Sequence, residues 1–334
     1  MMISVIIPTW RDNQSLKKCL DSLLNQKYQN GKFEIILTSK KRLQIKNKKI
    51  ISLKIGSRVN HAQARNIAAK HARGDILAFC DDDCILPSNW FSIASSYFTK
   101  NKADLIGGPV LPLKNTPFSY RLSGYLAGSR FAMGFAAYKF TTFRERKARE
   151  SDLILANNFV RKSVFWEVGG FDKNQVPCEE NLLYERVRKK GYKLLYVPKL
   201  ACSHPSKPLL RPLLRKIYFY ATGRGLLIAR VPETFKFQYL IPSIFVLSLI
   251  FLIVSSRFSR SALLLLISTL LVYSILNFVN SFLLFMRIEK NFAIFLIAPP
   301  ATFIVHCAYG LGFLNGFFRY LLKKRNAVKM PSKY

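Results

Sequence analysis

Three consecutive aspartates, Asp81, Asp82 and Asp83, are the residues whose types and spacing most directly indicate chemistry in this chain. They follow the apolar run at residues 76–79, which predicts a buried strand. Aspartate is depleted in strands and costly to bury, so three in succession need either solvent or a cation. Strand alternation points Asp81 and Asp83 the same way, and two converging carboxylates could ligate a divalent ion that holds a nucleotide diphosphate. A solvated turn would explain an isolated triplet equally well.

The elements that must position this triplet alternate between strand and helix over the first hundred residues. Strands are predicted at residues 3–7, 33–37, 50–55 and 76–79. Helical spacing marks residues 15–25 and 62–71. Such alternation predicts a parallel α/β sheet, whose ligands bind beyond the carboxyl ends of the strands. The aspartate triplet follows one of these ends.

Later segments give weaker or more local signals. Residues 105–110 and 192–197 predict further strands, and residues 168–172 predict a tight turn. Residues 144–150 are charged and are expected to be solvated. Residues 118–140 combine aromatic residues and glycines with a few cations and no anion, which fits an interfacial helix on a membrane or an ordinary buried loop and helix.

A glutamate pair, Glu179 and Glu180, is expected to open a helix that ends near residue 190, with Gly191 in the C-cap position. Acidic residues in a first turn are favoured by the helix dipole. The pair alone therefore does not indicate catalysis.

The carboxyl-terminal part of the chain is largely apolar. Blocks at residues 237–256, 261–286 and 292–318 each have about the 20 residues needed to cross a bilayer core. One such block could be a buried core helix, but three in succession predict a membrane region. Pro299 and Pro300 are expected to bend or interrupt the third block. Because the basic tail favours the cytoplasmic side, we expect two full spans and a re-entrant or interfacial third block.

The charge and the cysteines restrict the class of partner. The formal net charge is +34, from 52 Lys and Arg against 18 Asp and Glu. This suits nucleic acid, anionic lipid or phosphorylated substrates. Since no zinc-finger spacing or RNP-like motif is present, we expect anionic membrane lipid and no nucleic acid.

Six cysteines without a CxxC pair predict reduced thiols in a cytosol-facing domain, and residues 1–8 read as a strand, not a signal peptide.

Taken together, these segments resemble the family 2 glycosyltransferases, and the fit extends over residues 3–205. The matching residues are Val5-Ile6-Ile7-Pro8-Thr9, Cys19-Leu20-Asp21-Ser22-Leu23 with Gln26, Ala64-Arg65-Asn66, Gly74-Asp75-Ile76-Leu77-Ala78-Phe79, Asp81-Asp82-Asp83, Gly169-Gly170-Phe171-Asp172, Glu179-Glu180 with Arg186 and Gly191, and His204. The resemblance implies an α/β domain with the Rossmann-like GT-A fold of nucleotide-diphospho-sugar transferases. With the hydropathy, it predicts a GT-A domain at 1–235, a membrane region of two to three hydrophobic helices at 236–320 and a basic tail at 321–334.

The resemblance also implies roles for the acidic residues. Asp81 and Asp83 would bind Mg²⁺ or Mn²⁺ on the donor diphosphate, with Asp82 near the ribose or the metal. The divalent ion would stabilise the charge that the departing nucleotide gains. Glu180, beside Glu179, falls on the position of the catalytic base, where family members usually have aspartate. It would deprotonate the acceptor hydroxyl, and a single displacement would invert the anomeric carbon.

The donor pocket implied by the resemblance contains Pro8, Thr9, Trp10, Ser39, Arg65, Asp81 and Asp82. Trp10 could stack on the base or pack as a half-buried aromatic residue. Arg65 could reach the diphosphate or support the aspartate triplet. Residues 37–40 lack the acidic pair with which family members read the nucleobase, although Thr38 or Ser39 could still form a hydrogen bond with it. UDP-sugars are the expected donors.

Three further residues are weaker candidates. His204 is expected in a short loop, where it could approach the metal or be a structural histidine. Arg215 and Arg224 could hold the diphosphate of a lipid-linked acceptor, or they could form a juxtamembrane basic cluster on anionic headgroups.

The sequence therefore predicts an inverting, metal-dependent glycosyltransferase of the cell (inner) membrane. We expect a multi-pass protein with a cytoplasmic catalytic domain, a nucleotide-sugar donor and a lipid-linked or polysaccharide acceptor. One alternative is a processive polysaccharide synthase and translocase, although three blocks are few for a channel and no Gln-x-x-Arg-Trp motif is evident. Another is a non-catalytic basic membrane scaffold.

Overall fold

The computed structural model describes residues 1–10, 13–29, 31–206, 208–209, 211–287 and 290–322. The described chain divides into two compact units. The first comprises Met1–Leu113 and Tyr138–Pro205, and the second comprises Lys114–Ala137 with the described residues from Ser206 to Leu322. The domain boundary at residue 235 stays a prediction. Residues 323–334 of the predicted basic tail lie outside the described residues.

The first unit is built on a mixed eight-stranded sheet and a separate two-stranded sheet. The strands are β1 Met2–Pro8, β2 Lys32–Ser39, β3 Ile50–Lys54, β4 Ile76–Cys80, β5 Leu105–Gly107, β6 Val110–Pro112, β7 Arg146–Lys147, β8 Asn157–Arg161, β9 Leu194–Tyr196 and β10 Cys202–His204. The larger sheet has the order β3-β2-β1-β4-β8-β5-β9-β7, and β10 pairs with β6. The predicted parallel arrangement is confirmed for β1 to β4. Strand β8 is antiparallel to both of its neighbours.

The helices are α1 Gln14–Leu24, α2 His61–His71, α3 Trp90–Thr99, α4 Phe118–Ala127, α5 Arg130–Met133, α6 Lys162–Glu167, α7 Glu179–Lys189, α8 Arg211–Arg230, α9 Ile241–Ser255, α10 Arg260–Arg287 and α11 Ala293–Leu322. Side chains cap the first two helices, as their sequences favour. Asn13 accepts a hydrogen bond from the Leu16 amide, and Asn60 forms a reciprocal capping box with Gln63.

Burial on both faces of the sheet holds the carboxyl ends of its strands in place. Ile3, Val5 and Ile7 of β1 belong to one apolar cluster, which includes residues of α1 and α3. Ile6 and Phe79 point to the opposite face and belong to a second cluster with residues of α2, α6 and α7. Parallel strands buried on both faces read as continuous apolar runs, which is why these strands were predictable.

Two expectations for polar segments are wrong. His204 lies in strand β10, not in a loop, because it pairs with Pro112 of β6. The charged segment 144–150 is not uniformly solvated, since Glu150 is only 2% exposed. Its carboxylate and its carbonyl both accept hydrogen bonds from the Asn181 side chain. Arg146 packs over the ring of Tyr138, with its guanidinium carbon 3.8 Å from the ring centroid.

The second unit contains α4, α5 and α8 to α11, so residues 118–133 are mainly helical. By length and composition, Arg260–Met286 and Ala293–Leu322 could each cross a membrane, whereas α9 has 15 residues. The two prolines do not interrupt the third apolar block, because α11 continues through Pro299 and Pro300. A bend at these prolines stays a prediction. Helices in membranes tolerate proline where neighbouring groups satisfy the backbone. The Asn277 side chain of α10 donates to the Pro299 carbonyl at 2.7 Å.

Glycines bring the backbones of α8 and α11 together within this unit. A Cβ atom at Gly312 would lie 2.6 Å from the carbonyl oxygen of Tyr218. A Cβ atom at Gly316 would overlap the carbonyl oxygen of Thr222, and one at Gly225 would overlap that of Phe313. This close approach is the small-residue packing that membrane helices use.

Candidate functional site

The aspartate triplet lies in a turn beyond the carboxyl end of β4. Because β4 ends at Cys80, strand alternation does not set the directions of the three side chains, contrary to the sequence-based expectation. Asp81 contacts Arg65, Asp82 accepts a hydrogen bond from Thr9 Oγ1 at 2.6 Å, and Asp83 contacts His204. The three carboxylates are therefore held by three different parts of the first unit.

Arg65 joins the triplet to the glutamate pair. Its two terminal guanidinium nitrogens lie 3.2 Å from Asp81 Oδ1 and 3.2 Å from Glu179 Oε1. The Arg65 side chain is 7% exposed, so a fixed fork of donors faces both acids in a largely dry environment. The role predicted for Arg65 in supporting the triplet therefore has a geometric basis, because it contacts Asp81 directly.

Hydrogen bonds from the Asn66 side chain of α2 hold the turn that leads toward α7. The side chain of Asn66 donates to the Phe171 carbonyl at 2.7 Å and accepts from the Phe171 amide at 3.0 Å. Gly169 and Gly170 adopt φ values of +86° and +62°, which glycine reaches without strain. The predicted tight turn is confirmed, and its anchoring beside Arg65 explains how distant segments meet at one site.

The two glutamates differ in their cationic partners. Glu180 Oε1 lies 3.7 Å from Lys139 Nζ, whereas Glu179 faces Arg65. Both glutamates are buried in the first turn of α7. Burial raises the pKa of Glu179 to about 7, the negative charge of Glu180 adds to the rise, and Arg65 opposes it. Desolvation thus outweighs the guanidinium of Arg65 at Glu179.

Asp82 is buried beside the negative charges of Asp81 and Asp83. Burial raises the pKa of its carboxyl to about 6, and the charges of Asp83 and Asp81 add to the rise, while the hydrogen bond from Thr9 opposes it. Crowded carboxylate oxygens of this kind are suitable ligands for Mg²⁺ or Mn²⁺. Asp81 and Asp83 would supply the oxygen ligands, so the donor set fits the predicted divalent ion.

His204 approaches the triplet through a short antiparallel bridge. The amide of Ile85 donates to the Ser203 carbonyl at 2.7 Å, and the amide of Ser203 donates back to the Ile85 carbonyl at 2.9 Å. This places His204 Nε2 2.8 Å from Asp83 Oδ1. One donor atom from each of Asp83, Cys84 and His204 lies within 4.8 Å of the other two.

Buried thiols surround the end of β4. The six cysteines are free, and Cys19, Cys80, Cys84 and Cys202 are buried near this strand. The Cys19 and Cys80 sulfurs are 4.0 Å apart, and both thiols donate to the Asp81 carbonyl. The hydrogen bond from Cys202 contributes most to lowering the pKa of the Cys84 thiol.

Trp10 lies at the same end of the sheet. Its indole nitrogen donates to His61 Nε2 at 3.2 Å, and the two rings meet edge to face with centroids 5.0 Å apart. Burial lowers the pKa of His61 to about 4, which keeps the ring neutral and able to accept this bond. Lys40 Nζ lies 5.5 Å from the centroid of the Trp10 ring.

The ends of β1 and β2 meet beside these residues. Thr9 directly follows Pro8, and its amide donates to the Thr38 carbonyl at 2.9 Å. The Ser39 hydroxyl donates to the Lys41 carbonyl, so it would have to turn away from that carbonyl to donate to a nucleobase. The buried Thr38 hydroxyl has no hydrogen-bond partner among the described residues.

Arg215 and Arg224 belong to the second unit, on α8. Arg215 is exposed, whereas Arg224 is buried. The guanidinium carbon of Arg224 lies 4.6 Å from the centroid of the Tyr239 ring. Their role in acceptor binding stays a prediction.

Three residues at the site were not predicted from the sequence. Lys139 is one of 52 basic residues, and no local pattern marks it. Tyr184 follows Glu180 by one helical turn, a spacing that could have indicated it, and its buried hydroxyl has no partner within the described chain. Cys84 directly follows the triplet, and the i, i+2 spacing of Cys202 and His204 on a strand could have drawn attention to it.

Comparison with known proteins agrees with this fold. The family model described as "Glycosyl transferase family 2" matches residues 4–169. Glycosyltransferase AglE of Haloferax volcanii is 24% identical over 66% of this chain and 72% of its own length. A dolichyl N-acetyl-alpha-D-glucosaminyl phosphate 3-beta-D-2,3-diacetamido-2,3-dideoxy-beta-D-glucuronosyltransferase of Methanococcus voltae is 22% identical over 95% of this chain and 97% of its own. The solved mannosyltransferase PcManGT from Pyrobaculum calidifontis, in complex with GDP-Man and Mn²⁺, superimposes with a TM-score of 0.66 and 15% identity, covering 97% of this chain and 88% of that one.

Proposed function

Because this chain belongs to glycosyl transferase family 2, we propose that it is an inverting, metal-dependent glycosyltransferase of the membrane. It transfers a sugar from a nucleotide-diphosphate donor to a lipid-linked or polysaccharide acceptor. The main observation in support of this proposal is that Arg65 contacts both Asp81 and Glu179. A single buried guanidinium contacts both the triplet that would face the donor and the glutamate pair that would face the acceptor.

On this proposal, Asp81 and Asp83 hold Mg²⁺ or Mn²⁺, and Thr9 orients Asp82. The ion supplies Lewis-acid stabilisation of the nucleotide diphosphate as it leaves. The base and ribose side of the pocket is formed by Trp10, by Pro8 at the end of β1 and by Ser39 at the end of β2. PcManGT is solved with Mn²⁺, which supports a divalent ion without deciding between manganese and magnesium.

Glu180 is the proposed base. Its carboxylate would accept the acceptor proton, and the ammonium group of Lys139 lies 3.7 Å from its Oε1 atom. Glu179 faces Arg65 and has a pKa raised to about 7, so at neutral pH it carries less negative charge than an exposed glutamate. Two adjacent carboxyls in different environments suit different roles. Glu179 is therefore assigned to positioning and Glu180 to proton transfer.

The acceptor is proposed from the relatives and the apolar helices. The Methanococcus voltae relative is named for a dolichyl-linked sugar phosphate, and an O-antigen chain rhamnosyltransferase of Salmonella typhimurium is 26% identical over 61% of this chain. Two helices could cross a membrane. We assign the protein to the cell (inner) membrane as a multi-pass protein with a cytoplasmic catalytic unit. Anionic lipid is the proposed surface partner, and Arg215 and Arg224 are proposed to contact lipid phosphate.

UDP-sugars remain the proposed donors, and GDP-sugars are the second candidates. The second choice rests on the GDP-Man of PcManGT. The polar groups nearest the expected base position are neutral or cationic, namely Thr38, Ser39 and Lys40. The absence of a carboxylate at residues 37–40 removes the usual reason to prefer uracil.

The test is transfer of radiolabel from UDP- and GDP-sugars to an extract of polyprenyl-linked acceptor lipids, using the purified full chain. The proposal predicts metal-dependent labelling of the lipid fraction that is lost in Asp83→Asn and retained in Asp21→Asn, a change at an exposed aspartate of α1. Labelling that survives in Asp83→Asn would contradict the metal assignment. A polymer that grows without release would favour the processive synthase.

A further inference from the structure

We propose that residues 40–49, which connect β2 to β3, form a docking surface for an anionic membrane. This segment, the basic crossover, would hold phosphate-bearing lipid headgroups by charge, without inserting a side chain into the bilayer. The inference rests on the membrane location in the proposed function, and it assigns the anionic lipid partner to a defined surface. The basic crossover lies entirely within the first unit of the fold.

The basic crossover carries six cations and no anion. All six are exposed, namely Lys40, Lys41, Arg42, Lys46, Lys48 and Lys49. No aspartate or glutamate occurs between Glu34 and Asp75, so the neighbouring sequence offers no acidic partner. None of the six cations forms an ion pair with another described residue. Like charges at this density repel one another, and an anionic surface would relieve that repulsion.

Apolar side chains and backbone hydrogen bonds hold the basic crossover on the sheet. Leu43 and Ile45 are half-buried and pack against the apolar cluster that contains Val5 of β1. The Leu43 amide donates to the Ser52 hydroxyl at 3.0 Å, and an amide of β2 donates to the Lys49 carbonyl at 2.8 Å. Because the apolar residues of the segment face the core, its charged residues are presented to the outside on an anchored backbone.

A cavity of about 520 Å³ at the amino ends of β1 and β2 extends this basic surface. Lys32, Lys49 and Arg73 line it. Arg73 Nη2 lies 2.7 Å from Glu34 Oε2, and Lys49 Nζ lies 4.3 Å from the centroid of the Phe33 ring. Lys32 and Lys49 form no ion pair with another described residue. A headgroup phosphate in this cavity would therefore meet two cations that no carboxylate neutralises.

The composition of the basic crossover favours a membrane surface over a nucleic acid. Its exposed side chains are lysine, arginine, glutamine and asparagine, and none is aromatic. Proteins that hold single-stranded nucleic acid combine cations with aromatic rings on which the bases stack. Clusters of about four to eight lysines and arginines in membrane proteins are instead typical of binding to anionic lipid. The two helices long enough to cross a membrane would keep the chain at such a surface.

The test is lysine footprinting of the full chain in nanodiscs of phosphatidylglycerol or of phosphatidylcholine. A neutral acetylating reagent is used, and mass spectrometry gives the rate of modification at each lysine. We expect Lys46 and Lys48 to react about fivefold more slowly on the anionic lipid. At about 1 M salt, where the Debye length is about 3 Å, this difference should disappear. The control is Lys70, exposed on α2 on the opposite face of the sheet, which should react equally in both lipids.

A pair of double variants separates this surface from the overall charge. Lys46→Gln with Lys48→Gln should remove the protection of Lys41, whereas Lys100→Gln with Lys102→Gln, at exposed residues after α3, should retain it.

Equal reaction of Lys46 and Lys48 in the two lipids would overturn the proposal. Protection by an added oligonucleotide but not by anionic lipid would also overturn it and assign the surface to nucleic acid. The footprint needs no sugar transfer, so a chain without transferase activity still decides the role of the basic crossover. A chain that does not enter nanodiscs would refute the proposed membrane location and this surface with it.

Discussion

At the scale of single residues, the two adjacent glutamates separate into different roles through their cationic neighbours. Glu180 is beside Lys139 and Glu179 is beside Arg65. We predict that Glu180→Gln lowers the rate of transfer by about 10²–10⁴-fold, the usual contribution of a general base, and leaves metal-dependent nucleotide binding unchanged. Initial rates and nucleotide affinity measured on the same preparation check this.

The matched control is Glu167→Gln, because Glu167 forms a half-exposed ion pair with Lys190 that contributes little to stability. Its transfer rate should equal that of the wild type. Near-normal transfer by Glu180→Gln would assign proton transfer to another group, and Glu179 would be the first to test.

Glu179 should also make stability depend on pH. Its pKa is raised from 4.5 to about 7 in the folded chain, so the folded state retains a proton that the unfolded state releases between these values. The contribution of this group to the free energy of unfolding is complete below the unfolded pKa, and it is lost as pH rises through the folded pKa. The side chain introduced by Glu179→Gln is uncharged at every pH, so this variant does not lose stability as pH rises through that range.

The expected result is a difference in apparent unfolding temperature, variant minus wild type, that increases as pH is raised from about 5 to about 8. Thermal unfolding in detergent at a series of pH values measures it. Asp82, with a pKa raised to about 6, titrates in both proteins and cancels in the difference. A difference that stays constant with pH would show that Glu179 keeps an ordinary pKa.

At the scale of helices and strands, the glycines between α8 and α11 are the most sensitive packing positions of the second unit. Gly316→Ala places a methyl group where the Thr222 carbonyl lies. We expect a loss of roughly 1–3 kcal/mol, the usual cost of overpacking, seen as a lower apparent unfolding temperature. Gly56→Ala is the control, because its Cβ would lie 3.7 Å from the nearest atom. Equal stability of the two variants would contradict this packing.

The elements differ in how well the sequence predicts them. Strands β1 to β4 and helices α1 and α2 have five or more residues each. Continuous apolar runs predict the strands and helical spacing predicts the helices, so their positions follow from local pattern. Strands β6, β7 and β10 have only two or three residues. Their pairing depends on neighbours distant in the chain, so the sequence around His204 predicts a loop where β10 forms. Continuity of α11 through two prolines likewise depends on a contact from Asn277.

The residues of the candidate site likewise differ in how well the sequence predicts them. The triplet at residues 81–83 and the pair at residues 179–180 are marked by motif order, and both now have defined partners. Lys139 reaches Glu180 only through the tertiary fold, and no spacing rule connects them. The contact of Asp83 with His204 also required the bridge between Ile85 and Ser203, which is too short to carry a periodic signal.

At the scale of the whole molecule, the net charge of +34 should make acceptor use depend on the membrane surface. A cation near an anionic bilayer contributes about 1 kcal/mol, or roughly a fivefold change in binding. We predict that transfer by the full chain in nanodiscs is faster with anionic than with zwitterionic lipid. Arg215→Gln should raise the KM for the lipid acceptor about fivefold, whereas Lys18→Gln, at an exposed residue of α1, should not. Equal rates in both lipids would exclude this electrostatic contribution.

Nucleotide binding to the detergent-solubilised full chain is the best test of the metal-dependent nucleotide-sugar site proposed at Asp81 and Asp83. Thermal shifts would be measured with UDP, GDP, CDP and dTDP, each with and without Mn²⁺. We predict that one nucleotide stabilises the wild type and Asp21→Asn only when metal is present, by about 2.7 kcal/mol at 100 times the Kd, and does not stabilise Asp83→Asn. Stabilisation that needs no metal, or that persists in Asp83→Asn, would contradict the metal site. No shift with any nucleotide would contradict the transferase and favour the non-catalytic scaffold.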